Sequence, residues 1–285
     1  MTETAEARFG SGRRAGIRIA AILSLLLLSF FFGLVALEAA GVVESGGRGS
    51  PDDPPPSREA LLGAAMPGET VHVAGAAAVV VLVASGLISL AVRPEGSASA
   101  QHVLAVSVGL ILTLPLVGNP DNRGGQAGWF DPLFLLVALP GVGAALLARP
   151  FRHLRSGENG PRLGFVALAA AALPAAWYGV GQALLQRNTF PPTADPHHNA
   201  HWWAMSVFAF GLVLVVAAAS LPSVGWRLGP AVAALGAIAV GVASLLSPSS
   251  ASAIGAGWAV AAVLWGVAVI ALTSRRPPAQ RPSSA

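Results

Sequence analysis

A stretch near residue 200 reads DPHHNAHWW and concentrates imidazoles at a helical spacing. Asp195 followed by Pro196 is typical of a helix start, because Asp caps the first turn and Pro is tolerated at the first helical position. A helix from Pro196 places His197 and His201 four residues apart, on one face. Two imidazoles at this spacing can bind one metal ion.

A second pair of potential ligands begins another apolar segment. Glu69 and His72 are three residues apart, which is the spacing of a Glu-x-x-His ligand pair on a helix. We therefore predict one divalent metal held by Glu69, His72, His197 and His201. Imidazole and carboxylate ligands suit Zn best here, although the spacing alone also allows Fe, Cu or Mn. Glu69 is alternatively the candidate general base, because a metal with an open position acidifies its bound water and supports hydrolysis.

Further polar residues are predicted near these ligands. Tyr178 and Gln182 are four residues apart on one helix face, and polar groups inside a membrane usually face the bundle interior. With Glu38 and His198 they form the predicted lining of a cavity beside the metal ligands. The competing interpretation is an ordinary interhelical hydrogen bond.

Histidines at a membrane surface also have a simpler explanation. A wet imidazole needs no partner, and aromatic residues commonly form a belt at the lipid interface. On this interpretation the histidines lie within a belt made by Trp129, Trp202 and Trp203.

The composition limits the class of protein. The 285-residue chain is 54% hydrophobic and 11% charged, with a mean hydropathy of +0.66. Soluble domains are about one-quarter charged, so this chain requires an apolar solvent. The composition excludes a soluble enzyme, a disordered chain and a nucleic-acid-binding module. The absence of cysteine excludes disulfides and thiolate metal sites.

Apolar segments of membrane-spanning length recur along the chain. About 20 residues cross the hydrocarbon core, and the backbone in lipid must bond internally, so these segments are predicted helices. We predict an all-α integral membrane protein with eight spans, near 17–43, 71–92, 102–118, 130–148, 163–186, 201–222, 228–247 and 254–273. Seven spans remain possible if the first segment is cleaved or two short ones merge. Because the first apolar run exceeds that of a signal peptide, a retained signal-anchor is favoured.

The distribution of arginine predicts the orientation. With both termini in the cytoplasm, only Arg48, Arg58, Arg123 and Arg187 lie outside, and the rest of the 17 basic residues, all of them Arg, lie inside. The chain is therefore predicted in a bacterial cytoplasmic membrane, with the metal ligands facing outward. The arginine-rich loop 149–155 is expected to contact anionic lipids.

The chain is predicted to contain one transmembrane domain, residues 16–274, with a flexible outer loop at 44–68. The tails 1–15 and 275–285 are expected to be disordered cytoplasmic segments. Pro115, Pro140 and Pro174 are expected to kink their helices. Small residues predict close helix packing at Ala237, Gly241 and Gly257.

Three functions remain open on the sequence alone. The first is a metal-binding membrane protein, with hydrolysis of a lipid-borne or extracytoplasmic substrate as its chemistry. The second is a small-solute permease or binder that uses the predicted cavity. The third is a non-catalytic accessory subunit of a membrane complex, whose protein partner the sequence does not specify.

Overall fold

The computed structural model describes residues 2–39, 70–117, 138–149, 151, 162–188, 201–221, 223, 225–250 and 252–275. Within these ranges the chain is helical and contains no strand. The prediction of an all-α protein is therefore confirmed for the described residues. Six spans in these ranges are long and apolar enough to cross a membrane.

The bounds of the helices are as follows: α1 Thr2–Ala39, α2 Thr70–Val92, α3 Ser97–Val117, α4 Ala138–Leu147, α5 Leu163–Ala171, α6 Leu173–Asn188, α7 His201–Ala219, α8 Leu228–Leu246 and α9 Ala256–Ser274. Helices α5 and α6 together form one span, Leu163–Arg187. The six membrane-length spans are α2, α3, α5 with α6, α7, α8 and α9. The predicted first and fourth spans are described only in part, as α1 and α4.

Helices α2 and α7 form the centre of the bundle. Helix α2 packs against α1, α3, α7 and α8, and α7 packs against α2, α3, α5, α6 and α8. Their contacts enclose the main apolar core, which includes Val71, Leu82, Val106, Phe165, Met205, Val215 and Val216. Large apolar residues on the outer faces, including Leu235, Trp258 and Leu264, stay exposed, as expected for side chains that face lipid.

Close approaches between helices depend on glycine. A Cβ on Gly109 of α3 would lie 3.0 Å from the backbone nitrogen of Gly211 in α7. A Cβ on Gly241 of α8 would lie 2.7 Å from the carbonyl oxygen of Ala259 in α9. The predicted packing role of Gly241 is therefore confirmed. The prediction for Gly257 is wrong, because a Cβ there would meet nothing within 4 Å.

Pro174 separates α5 from α6. Proline lacks the amide hydrogen that would continue the helix, and its ring displaces the carbonyl one turn earlier. The chain responds with a short turn at Ala172, whose amide bonds to the carbonyls of Leu168 and Ala169. Pro115 is tolerated inside α3, which continues to Val117.

A second, smaller core joins α1 and α4 to the bundle. It contains Ile17, Ala21, Leu87, Leu90, Ala100, Val103, Ala144, Ala145 and Ala148. Arg13 and Arg14 of α1 pair with Glu95 in the turn between α2 and α3, at 3.6 and 2.8 Å. Most of the segment for which a disordered N-terminal tail was predicted is thus part of α1.

The antiparallel helices give the bundle two chemically different ends. We call the end where α2, α7 and α9 begin the His72 end, and the other the arginine end. Among the described residues, the arginine end contains Arg13, Arg14, Arg18, Arg93, Arg149, Arg162, Arg227 and Arg275, and the His72 end contains Arg187. An excess of arginine at one end is the feature that determines the orientation of a membrane protein.

Candidate functional site

His72 is the third residue of α2 and is buried inside the bundle, with 4% of its surface exposed. Its Nε2 forms a short hydrogen bond with the hydroxyl of Ser252, in the connection between α8 and α9. The imidazole also forms a T-shaped contact with the ring of Trp202 in α7, with centroids 6.1 Å apart and planes at 89°. The first turn of α2 is therefore in contact with both α7 and the α8–α9 connection.

Ser252 connects His72 to α6. Its hydroxyl donates to Gln182 Oε1 at 2.8 Å, and its backbone carbonyl accepts the Tyr178 hydroxyl at 2.8 Å. Ser252 is fully buried and Gln182 is 5% exposed. We call His72, Tyr178, Gln182 and Ser252 the His72 cluster. Its members come from α2, α6 and the α8–α9 connection.

A neighbouring set of bonds joins α3, α6 and α7 at the same end. The Trp203 indole donates to the Thr113 hydroxyl at 2.6 Å, and Thr113 donates to the Leu110 carbonyl at 2.7 Å. The backbone amide of Trp203 donates to Gln186 Oε1 at 3.3 Å. Trp203 is only 6% exposed, so its assignment to an aromatic belt facing lipid is wrong. A buried indole needs this hydrogen-bond partner.

Several predicted ligands and cavity-lining residues lie outside the described residues. These are Glu69, His197 and His198, together with the side chains of His201 and Glu38, whose backbones lie in α7 and α1. His201 precedes Trp202 directly, so the backbone that carries it begins beside His72. Among the side chains that are described, no three His, Asp or Glu residues gather into a metal-binding group.

Three members of this region were not predicted from the sequence: Ser252, Thr113 and Gln186. Gln186 continues the spacing of Tyr178 and Gln182 by one more helical turn, and that pattern was available in the sequence. Ser252 lies in the run SPSSASA, where nothing distinguishes one serine from another. Only the packing of α8 against α9 places this serine, rather than one of its neighbours, beside His72.

A second polar region lies at the arginine end. His102 of α3 is buried, with 4% of its surface exposed. The Leu82 carbonyl lies near the imidazole, but its geometry does not meet the criteria for a hydrogen bond to Nε2. His102 borders a cavity of about 20 Å³ between α2, α3, α7 and α8. The polar residues in its lining are Ser89, Ser99, Gln101, His102, Ser223 and Trp226. That volume accommodates about one water molecule.

The His72 cluster contains no Asp, Glu or Arg, its members are buried or partly buried, and its hydrogen bonds fix their rotamers. Such an arrangement can hold an imidazole in one orientation and one tautomer. Comparisons with protein-family models, curated proteins and solved structures found no match for this chain. Any function must therefore be argued from the residues themselves.

Proposed function

We propose that this chain is a multi-pass protein of a bacterial cytoplasmic membrane that binds one divalent metal ion at its His72 end. In this proposal the eight predicted spans place both termini in the cytoplasm and the His72 end outside. The single observation that carries the metal proposal is the buried imidazole of His72, held by Ser252 and Gln182.

The hydrogen bonds favour one form of the imidazole. The Ser252 hydroxyl proton goes to Gln182, so the serine oxygen accepts from the Nε2–H of His72. Nδ1 then carries the lone pair that a metal requires. Ligating histidines commonly donate their other N–H to a second group, which fixes the ring and increases its basicity. Ser252 and Gln182 would provide that support.

The remaining ligands come from two nearby segments. Glu69 precedes His72 by three residues, and His197 and His201 belong to the segment that leads into α7, which meets α2 through Trp202. Three imidazoles and a carboxylate suit Zn²⁺. If only the three imidazoles bind Zn²⁺, the fourth position would be open to a water that the metal acidifies for hydrolysis, and Glu69 would be available to hold or move its proton.

Metal analysis of the purified protein tests this proposal. We expect about one equivalent of metal in the wild type and a loss of most of it in His72→Ala and in His201→Ala, because each removes a ligand. The matched control is His102→Gln, which changes a buried histidine at the opposite end. Metal absent from the wild type, or retained equally in the His72 and His201 variants, would disprove the site.

The described contacts support neither the small-solute permease or binder nor the accessory subunit. The Tyr178 hydroxyl and Gln182 Oε1 bond to Ser252 in the α8–α9 connection, so these two groups are used within the protein rather than presented to a solute. The accessory-subunit alternative is tested by co-purification in mild detergent. A stoichiometric protein partner, found together with a metal-free wild type, would favour it over the metal proposal.

A further inference from the structure

The arginine end contains a group of cations around one aromatic ring. The guanidinium carbon of Arg162 lies 4.4 Å from the centre of the Trp226 ring, and that of Arg227 lies 5.6 Å from it. Phe165 supports the same ring edge-on, with centroids 5.0 Å apart. Arg227 also donates to the backbone carbonyl of Arg275 at 2.9 Å. Arg162 and Arg227, at the starts of α5 and α8, thus meet at Trp226, and the backbone of Arg275, at the end of α9, lies beside Arg227.

Arg162 is held in place by the backbone. Its guanidinium donates to the carbonyls of Ala219, Leu221 and Ser223 at 2.9, 2.6 and 3.3 Å, where α7 ends. These carbonyls have no helical partner, so Arg162 satisfies them. Partial burial lowers the pKa of the Arg162 guanidinium, because the charged form loses part of its hydration.

The charges of this group are not balanced within the described part of the chain. Among the described residues, the salt bridges to arginine are those that Glu95 forms with Arg13 and Arg14. Arg227 and Arg275 are exposed, and most donors of the Arg227 guanidinium are not used by the described residues. Neighbouring cations repel one another, so an anion at this position would be favourable.

A polar recess adjoins the arginines. Trp226, Ser223 and Gly229 line the cavity that His102 borders, so the ring contacted by both guanidinium groups also forms a wall of the cavity. The recess accommodates a group the size of a water or hydroxyl, which is too small for a phosphate. A phosphate would therefore remain at the arginines, while a hydroxyl beside it could enter the recess.

We propose that Arg227, Arg275 and Trp226 form a binding site for the headgroup of an acidic phospholipid. The phosphate contacts the guanidinium of Arg227, and a headgroup hydroxyl lies toward the recess below Trp226. Basic pockets between helices are known sites for acidic headgroups, and tryptophan is favoured at headgroup depth. Loop 149–155, where lipid contact was expected, is described only at Arg149 and Phe151. The new site uses residues outside that loop and is independent of the metal proposal.

Native mass spectrometry of the detergent-solubilised protein tests this site. We expect the wild type to retain phosphatidylglycerol in preference to phosphatidylcholine. Arg227→Gln should reduce phosphatidylglycerol retention about five-fold, since one arginine at an anionic surface contributes about 1 kcal/mol. Arg227 is exposed, so the variant should fold normally. The matched control is Arg187→Gln at the His72 end, where retention should not change.

Three outcomes would overturn the proposal. These are equal retention of the two lipids by the wild type, equal phosphatidylglycerol retention by wild type and Arg227→Gln, and a loss in Arg187→Gln as large as in Arg227→Gln. A fourth concerns the source of the phosphate. If inorganic phosphate binds the delipidated wild type in a way that Arg227→Gln abolishes, and phosphatidylglycerol does not, the site binds a free anion rather than a lipid.

Discussion

Ser252 shows how one small residue can determine what a buried histidine does. Its hydroxyl lies between the His72 imidazole and the Gln182 amide, and its carbonyl bonds to Tyr178. A buried polar group that loses its partner costs about 1–3 kcal/mol. Ser252 is therefore a positioning residue in the proposed metal site, because it touches the ligand rather than the metal.

The Ser252→Ala variant distinguishes a role of Ser252 in positioning the His72 imidazole from a purely structural role. We expect metal affinity to fall by about 10-fold to 100-fold, because the imidazole loses the acceptor that fixes its tautomer. Isothermal titration with Zn²⁺ measures this change, and thermal unfolding of the metal-free protein measures stability. The control is Ser249→Ala, an exposed serine in the same connection. A loss of thermal stability with metal affinity unchanged would show that Ser252 stabilises the helix packing but does not position the metal ligand.

His72 and His102 differ although each is a buried histidine near a helix start. His72 has a hydroxyl partner that belongs to a hydrogen-bonded chain, whereas His102 borders a water-sized cavity and its Nε2 has no such bond. Sequence spacing selected His72 through Glu69, and nothing in the sequence drew attention to the surroundings of His102. The difference arises from the helices that pack against each ring.

At the scale of elements, α8 and α9 are held together by small residues. The carbonyl oxygens of Ala259 and Ala234 would lie 2.7 Å from a Cβ on Gly241 and Gly266, respectively. Neither carbonyl can move away without disturbing the hydrogen bonds of its helix. The contact therefore depends on two glycines, one on each helix, and only Gly241 was predicted.

Alanine substitutions at these glycines test the contact. Gly241→Ala and Gly266→Ala should each destabilise the protein by about 1–3 kcal/mol, because the added methyl group forces the helices apart. Gly257→Ala is the control on α9, since a Cβ there meets nothing within 4 Å. Unfolding in mixed detergent micelles gives the free energies. Equal stability of the three variants would mean that α8 and α9 can separate at no cost.

At the scale of the whole molecule, the distribution of arginine makes the orientation testable. The proposed orientation places the arginine end in the cytoplasm, because basic flanking residues are retained there. The chain contains no cysteine, so a single introduced thiol reports its own accessibility. Ser249 and Ser274 are exposed residues near opposite ends of α9, and they form a matched pair.

Labelling intact cells with a membrane-impermeant maleimide tests the orientation. We expect Ser249→Cys to react in intact cells and Ser274→Cys to react only after permeabilisation, since the residues lie at opposite ends of one span. Labelling of both after permeabilisation is the control for reactivity. The reverse pattern would place the arginine end outside and would contradict the proposed orientation.

The all-helical architecture and the segments that form the six described spans followed from the sequence alone. A backbone in hydrocarbon must satisfy its own hydrogen bonds, so a long apolar run becomes a helix whatever its neighbours are. Pro174 likewise marked an interruption in its span, because a missing amide hydrogen is a local property.

Tertiary structure decided what each polar side chain touches. The bond between His72 and Ser252 joins residues 180 positions apart and depends on the rotation and depth of α2 relative to the α8–α9 connection. The arginines around Trp226 meet for the same reason. Hydropathy determines that a helix lies in the membrane, but in these apolar helices it does not determine which face meets which neighbour. That choice is made by close packing at residues such as Gly109 and Gly241, whose effect is only apparent once the helices are together.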